Sequence, residues 1–174
     1  MVALVNFFDA IRGFIELGGN VLWGILVVLL MMWILIIERY WYYFRVLPGQ
    51  RREIVEQWET RRDRQSWHAG RIREELISRL TQQMQRNVKT INTLIAVCPL
   101  LGLLGTVTGM VAVFDVMAFF GTGNARAMAA GVSQATIPTM AGMVAAISGL
   151  YFGTHLERKQ IKESERLEDL LRFD

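Results

Sequence analysis

The sequence predicts an all-α membrane protein with three transmembrane helices and long cytoplasmic helical extensions. Three observations carry that prediction. The chain is 52% hydrophobic, and its apolar residues fall in three long runs: Gly18–Ile37, Ile91–Phe114 (continuing past Asp115 to Phe120) and Ala127–Thr154. Each is long enough to cross a bilayer core, which takes about 20 apolar residues in a helix. The basic residues cluster between the first two runs, which sets the orientation. Apolar residues in the charged segments recur at helical spacing, which makes those segments helices. A chain of 174 residues cannot wrap three such runs in protein, so buried soluble helices do not account for them.

The elements follow in order. Residues 1–17 read as a periplasmic amphipathic helix with Phe7, Phe8, Ile11, Phe14 and Ile15 on one side, suited to a membrane interface. The first apolar run starts late, is too long for a leader's h-region and is followed by no A-x-A site, so a secretory signal is not expected. Residues 18–44 form the first span, bulky in Leu, Val, Ile, Met and Trp, and end in the aromatic stretch YWYYF (40–44), an interfacial belt. The bulk of this span suits lipid contact.

Residues 45–90 form the cytoplasmic segment. From Arg45 to Lys89 it carries eleven Lys/Arg and six Asp/Glu, and the positive-inside rule places it in the cytoplasm. Pro48-Gly49 is expected to break the chain. Beyond it, Ile72, Leu76, Leu80, Met84, Val88 and Ile91 form one stripe that runs into the second span with no glycine or proline between, predicting one continuous helix. Residues 91–120 form the second span, 121–126 a periplasmic turn and 127–154 the third span. Residues 155–174 are a cytoplasmic tail that continues the third helix, with Leu156, Ile161, Leu167, Leu170 and Leu171 as its apolar side. The N-terminus is then outside and the C-terminus inside.

Basic and acidic residues interleave in both charged regions, which argues against a nucleic-acid surface. The single cysteine, Cys98, excludes a disulfide framework or a cysteine metal site within one chain, and no cofactor or metal is expected. No nucleophile–base pair or phosphate loop is visible, and His68 and His155 lie in the cytoplasmic segments, so an enzyme is not expected.

The second and third spans are rich in small residues. Gly102, Gly105, Gly109 and Gly142 predict close helix packing, and both spans are expected to face protein. They also carry hydroxyls. At about 1.5 Å rise per residue, Thr106 and Thr139 lie roughly 20 and 22 Å from the cytoplasmic ends of their helices, at one level. Asp115 and Gln134 come out at roughly 30–33 Å, near an outer mouth. With Ser133 and Thr136 they suggest a polar strip facing a bundle interior. Pro138 removes the helical donor of the Gln134 carbonyl and is expected to bend the third span. No span holds a carboxylate or histidine near mid-membrane, and threonines alone do not relay a proton. A titrating group must come from another chain, or from Asp115 with water.

The stretches PLLGLLGTVTGM (99–110) and GVSQATIPTMAGMVAAISGLYF (131–152) resemble the second and third spans of the ExbB/TolQ/MotA family of proton-channel subunits, closest to short three-span ExbB proteins. The resemblance implies a pentameric homo-oligomer in the bacterial inner membrane whose second and third spans line a central pore. It implies a small ExbD-like single-span partner within the pore, whose aspartate carries the proton, and a TonB-like protein that passes the motion on to outer-membrane transporters for iron chelates or similar cargo. The family's pore threonines map onto Thr106 and Thr139. Its pore glutamate, five residues before the second threonine, is Gln134 here, and Asp115 is the other candidate for that polar position. A TolQ-like output for envelope maintenance, or a non-conducting membrane scaffold, are the alternatives. The basic residues of 45–89 are expected to set topology first, and anionic lipids are further candidate ligands for them.

Overall fold

The computed structural model describes the backbone of residues 2–61, 66–120 and 125–171, and the side chains of these apart from 2–12, 14–17, 120, 125 and 127. The amphipathic side of the N-terminal helix and the turn at 121–124 therefore lie outside the described residues. The rest is helical: α1 (Val2–Trp41), a π-helical turn (Tyr42–Val46), α2 (Leu47–Glu59), α3 (Trp67–Gln85), α4 (Val88–Phe120) and α5 (Ala125–Leu170). Three helical stretches are long and apolar enough to cross a membrane, within Gly18–Glu59, Trp67–Phe119 and Met128–Leu170. The chain is a multi-pass membrane protein. It divides into two compact units, one of residues 1–32 with 93–149 and one of 33–92 with 150–174.

In the first unit α4 and α5 pack antiparallel through small residues. A Cβ at Gly109 would stand 2.5 Å from Ala135 Cα, and one at Gly102 would stand 3.0 Å from both Pro138 O and Thr139 Cα. Only glycine lets the two backbones approach so closely. Gly142 likewise faces the Cys98 carbonyl, and Gly131 faces Val113. The first span packs against this pair. Leu22, Ile25, Cys98, Ile137 and Ala145 form a buried core, and Met32 and Ile95 close around Gly149. α5 stays helical through Pro138, whose ring is buried against Gly105.

The burial pattern shows which side of each span is packed within one chain. The first span is not simply a lipid-facing helix: Leu22, Ile25, Met32 and Ile36 are buried, while Trp23, Val27, Met31 and Ile34 are exposed. Conversely, α4 and α5 are small only along their seam. Leu103, Val107, Phe114, Met140, Val144 and Ile147 leave a broad, bulky apolar surface. Glycine and alanine mark where backbones meet, and large side chains fill the rest of each circumference.

In the second unit the sequence's apolar stripe is buried at Leu80, Met84, Val88 and Ile91, together with Tyr43, Leu47, Trp58 and Ala69. Three local features differ from expectation. Pro48-Gly49 does not break the chain. Pro48 sits in the first turn of α2, where a missing N–H costs little, and the π-helical turn before it keeps the backbone helical. The long helix into the second span is broken instead at Arg86–Asn87. Asn87 takes a left-handed φ of 66°, a conformation that asparagine tolerates better than most residues, and its side-chain amide donates to Glu38 Oε2 at 3.1 Å. Along the tail, Leu156, Leu167 and Leu171 are buried, but Ile161 and Leu170 are about half exposed and do not belong to the packed side.

Polar contacts fasten the same unit. Ser66 caps α3 by accepting from the Ala69 N–H at 3.2 Å. The Arg73 guanidinium donates to the Glu168 carbonyl at 2.9 Å and to that of Leu171, satisfying acceptors that the end of α5 leaves open. Arg51 pairs with Glu163 at 3.1 Å, and Thr81 and Ser164 share a hydrogen bond at 3.0 Å.

Candidate functional site

The candidate residues all lie in the first unit, on α4 and α5. Thr139 donates its hydroxyl across the seam to the Gly102 carbonyl at 2.9 Å. Thr106 donates to the Leu103 carbonyl one turn back on its own helix at 2.6 Å. Both side chains are half-buried. At about 100° per residue, the residues of α4 that meet α5 (Cys98, Gly102, Gly105, Gly109) define one arc, and Thr106 lies at its edge. The matching arc of α5 (Gly131, Ala135, Pro138, Gly142) has Thr139 at its edge. α1 touches the opposite edge of both helices, where Val21 approaches Gly105 and both Gly18 and Leu22 lie by Ile137. Thr106 and Thr139 therefore share the edge of the seam that faces away from α1.

Their levels follow from the same contacts. Gly102 meets Thr139 and Gly105 meets Pro138, so Thr106 stands about 3–6 Å, at most one turn, beyond Thr139 along the bundle. The two hydroxyls form a short polar edge rather than a single ring. Each has already spent its one proton on a backbone carbonyl. What each offers to a visitor is acceptor lone pairs, unless the hydroxyl turns.

The other candidates are not gathered there. Gln134 is about 140° around α5 from Thr139 and points to α1, where a Cβ on Gly19 would stand 2.8 Å from Gln134 Nε2. Gly19 has φ 68° and ψ −168°, so α1 is two helical pieces joined at this residue. Gln134, Asn20 and Thr108 contribute polar groups to a cavity of about 310 Å³ that Gly18, Gly19, Val21, Gly105 and Gly109 complete. Asn20 and Thr108 are polar groups that no motif marks, and the Gly18-Gly19 pair is the sequence signal for the cavity. Ser133 is exposed on α5 away from the seam, and Asp115 is exposed on α4 two turns beyond Thr108, on the same side of the helix. Thr136 is exposed nearer the threonine edge and bonds back to the Val132 and Ser133 carbonyls at 3.3 and 3.1 Å. Asp115 and Gln134 are also not level. Gly109 meets Ala135 and Val113 meets Gly131, which puts Gln134 across from about Met110 and Asp115 about 7.5 Å further along. Counting from each helix end missed this because the two spans do not start at one height.

No group of three or more His, Cys, Asp or Glu side chains placed to hold a metal occurs among the described residues. A three-span membrane bundle with hydroxyls along one edge of a glycine seam defines a class of protein rather than a reaction. The family to which it belongs is shown by comparison. Residues 50–169 match the MotA/TolQ/ExbB proton channel family, and the chain belongs to that family. Over 71 residues it is 45% identical to an ExbB-like biopolymer transport protein of Synechocystis, a match covering 39% of this chain and 28% of the relative. A second ExbB-like protein of the same organism is 44% identical over 62 residues, 34% of this chain and 30% of its own length. The chain thus matches less than a third of the length of either relative.

Proposed function

We propose that this chain is the channel-forming stator subunit of a TonB-energising complex, coupling inward proton flow across the bacterial inner membrane to outer-membrane transport of iron chelates or similar cargo. The observation that carries the reading is the shared edge of Thr106 and Thr139, facing away from α1, in a member of a proton-channel family. Five copies would turn that edge toward a central pore, N-termini in the periplasm, with Thr136 nearer its outer end, while Ser133, Gln134 and Asp115 lie further around their helices. The bulky apolar surfaces of α4 and α5 that stand free in one chain are suited to neighbouring copies.

The chemistry follows from the hydroxyls. No acid of this chain sits near mid-span, so the proton would ride on an aspartate of an ExbD-like single-span partner inside the pore. A protonated carboxyl is a donor, and the lone pairs of Thr106 and Thr139 accept from it. Once the proton leaves, the carboxylate is acceptor-only, and a threonine that turns its O–H from the backbone carbonyl can donate to it. The threonine edge thereby supports the aspartate in both states without titrating itself. One charge moved through 100 mV releases about 2.3 kcal/mol, which the partner's movement would transmit to a TonB-like protein.

A non-conducting scaffold has one observation in its favour: the Thr139 hydroxyl already joins two helices. Thr106→Val and Thr139→Val, expressed with the small partner, separate the readings. Valine keeps the shape and removes the hydroxyl. Complexes that assemble but no longer energise uptake support the proposal, and complexes that assemble and energise uptake normally support the scaffold.

A further inference from the structure

The second unit carries a basic depression that the proton reading does not use. Arg79, Gln82, Gln83, Gln85, Arg86 and Lys89 line a concave space of about 510 Å³ along the end of α3 and the start of α4. No carboxylate among the described residues lines it. Arg79, Arg86 and Lys89 are exposed, and the guanidinium groups of Arg79 and Arg86 have no hydrogen-bond or ion-pair partner among the described residues. They contrast with Arg51 and Arg71, which are paired to Glu163 and Glu74. Cations that converge on one hollow, with amide donors between them, suit a phosphate group.

The place of the hollow says which phosphate. Ile91, two residues beyond Lys89, opens the apolar run of the second span. Three contacts tie this junction to the end of the first span: Arg39 donates to the Gln83 carbonyl at 3.1 Å, Tyr43 to the Met84 carbonyl at 3.4 Å and Asn87 to Glu38 at 3.1 Å. The hollow is therefore level with the aromatic stretch, where Trp41 and Phe44 are 66% and 68% exposed. Exposed aromatic residues at the end of an apolar span mark the headgroup layer. Glu38 pairs with Arg39 at 3.0 Å, and Glu53 lines an adjoining hollow that shares Arg79 and Gln83, so neither carboxylate lines the basic one.

From this we infer that the Arg79–Arg86–Lys89 hollow binds the phosphate of an anionic phospholipid. The break at Arg86–Asn87 gives the site its shape, because it turns α3 away from α4 where a continuous helix would carry the three cations along one straight face. Whether the chain conducts protons does not enter the argument.

The test is lipid retention by the full-length protein in mixed micelles of phosphatidylcholine and phosphatidylglycerol, read by native mass spectrometry. Arg79→Gln/Arg86→Gln is compared with the charge-matched Arg52→Gln/Arg71→Gln. Each juxtamembrane cation contributes enough that losing two weakens phosphatidylglycerol binding by about thirtyfold. The control pair stays within about twofold of wild type, and Arg86→Lys, which keeps the charge, retains most of the binding. Equal retention by the hollow variant and wild type overturns the site, as does an equal loss in the control. Millimolar inorganic phosphate should not strip the bound lipid. If it does, the hollow is a site for a soluble anion and the lipid assignment is wrong.

Discussion

The Thr139 hydroxyl reaches across the α4–α5 seam and donates to the Gly102 carbonyl at 2.9 Å. The bond exists because Gly102 lacks a side chain: a Cβ there would stand 3.0 Å from Thr139 Cα and hold the helices apart. One residue thus fixes how closely the helices pack, and the other fixes their register. The edge on which Thr106 lies is a product of both.

Seam glycines and free-face glycines should respond oppositely to alanine. At Gly109 the new methyl meets Ala135 Cα and Cβ, both too close to accept it, and overpacking of this kind costs about 1–3 kcal/mol. At Gly24 nothing lies within 4 Å, so Gly24→Ala gains up to about 1 kcal/mol of helix propensity. Thermal unfolding in detergent should show a lower Tm for Gly109→Ala and an unchanged or higher one for Gly24→Ala.

The joint in α1 predicts a coupled pair. Gly19→Ala is strained by its left-handed φ and also meets the Gln134 amide. Gln134→Ala removes the second problem and leaves the first. In a double-mutant cycle the two substitutions together should destabilise by less than their sum, with a coupling of about 0.5–1.5 kcal/mol. Strict additivity would mean that Gln134 does not face Gly19.

Asn87 should tolerate glycine and reject β-branched residues. Asn87→Gly keeps the left-handed conformation and loses the bond to Glu38, for a small change in stability. Asn87→Val loses both and costs about 1–2 kcal/mol more. Chemical denaturation of the two variants side by side measures the difference.

Much of this fold was legible because membrane helices advertise themselves. Long apolar runs gave the spans, small residues gave the seam, and the stripe from Leu80 to Ile91 gave the packed side of the second unit. The helix break at Asn87 was not legible, since the apolar stripe keeps its helical spacing across it and the bond to Glu38 joins residues distant in sequence. The reverse error occurred at Pro48, where proline reads as a breaker unless the next helix is known to start there. Depth counting placed Thr106 and Thr139 to within about a turn, but it could not give the rotation of each helix. That is why Gln134, assigned to the same polar strip, lies instead on the α1 side of α5.

The most direct test of the account is proton flux through the reconstituted complex. This chain and the proposed ExbD-like partner are placed in proteoliposomes under a pH gradient and a membrane potential, with wild type compared to Thr106→Val and Thr139→Val. The account predicts that wild type conducts and that Thr106→Val loses at least about tenfold in flux, because an acceptor for the partner's carboxyl is gone. Thr139→Val should lose flux and some thermal stability, since its hydroxyl also ties α5 to Gly102. Wild-type flux in a correctly assembled Thr106→Val complex would contradict the account and leave the threonine edge with packing alone.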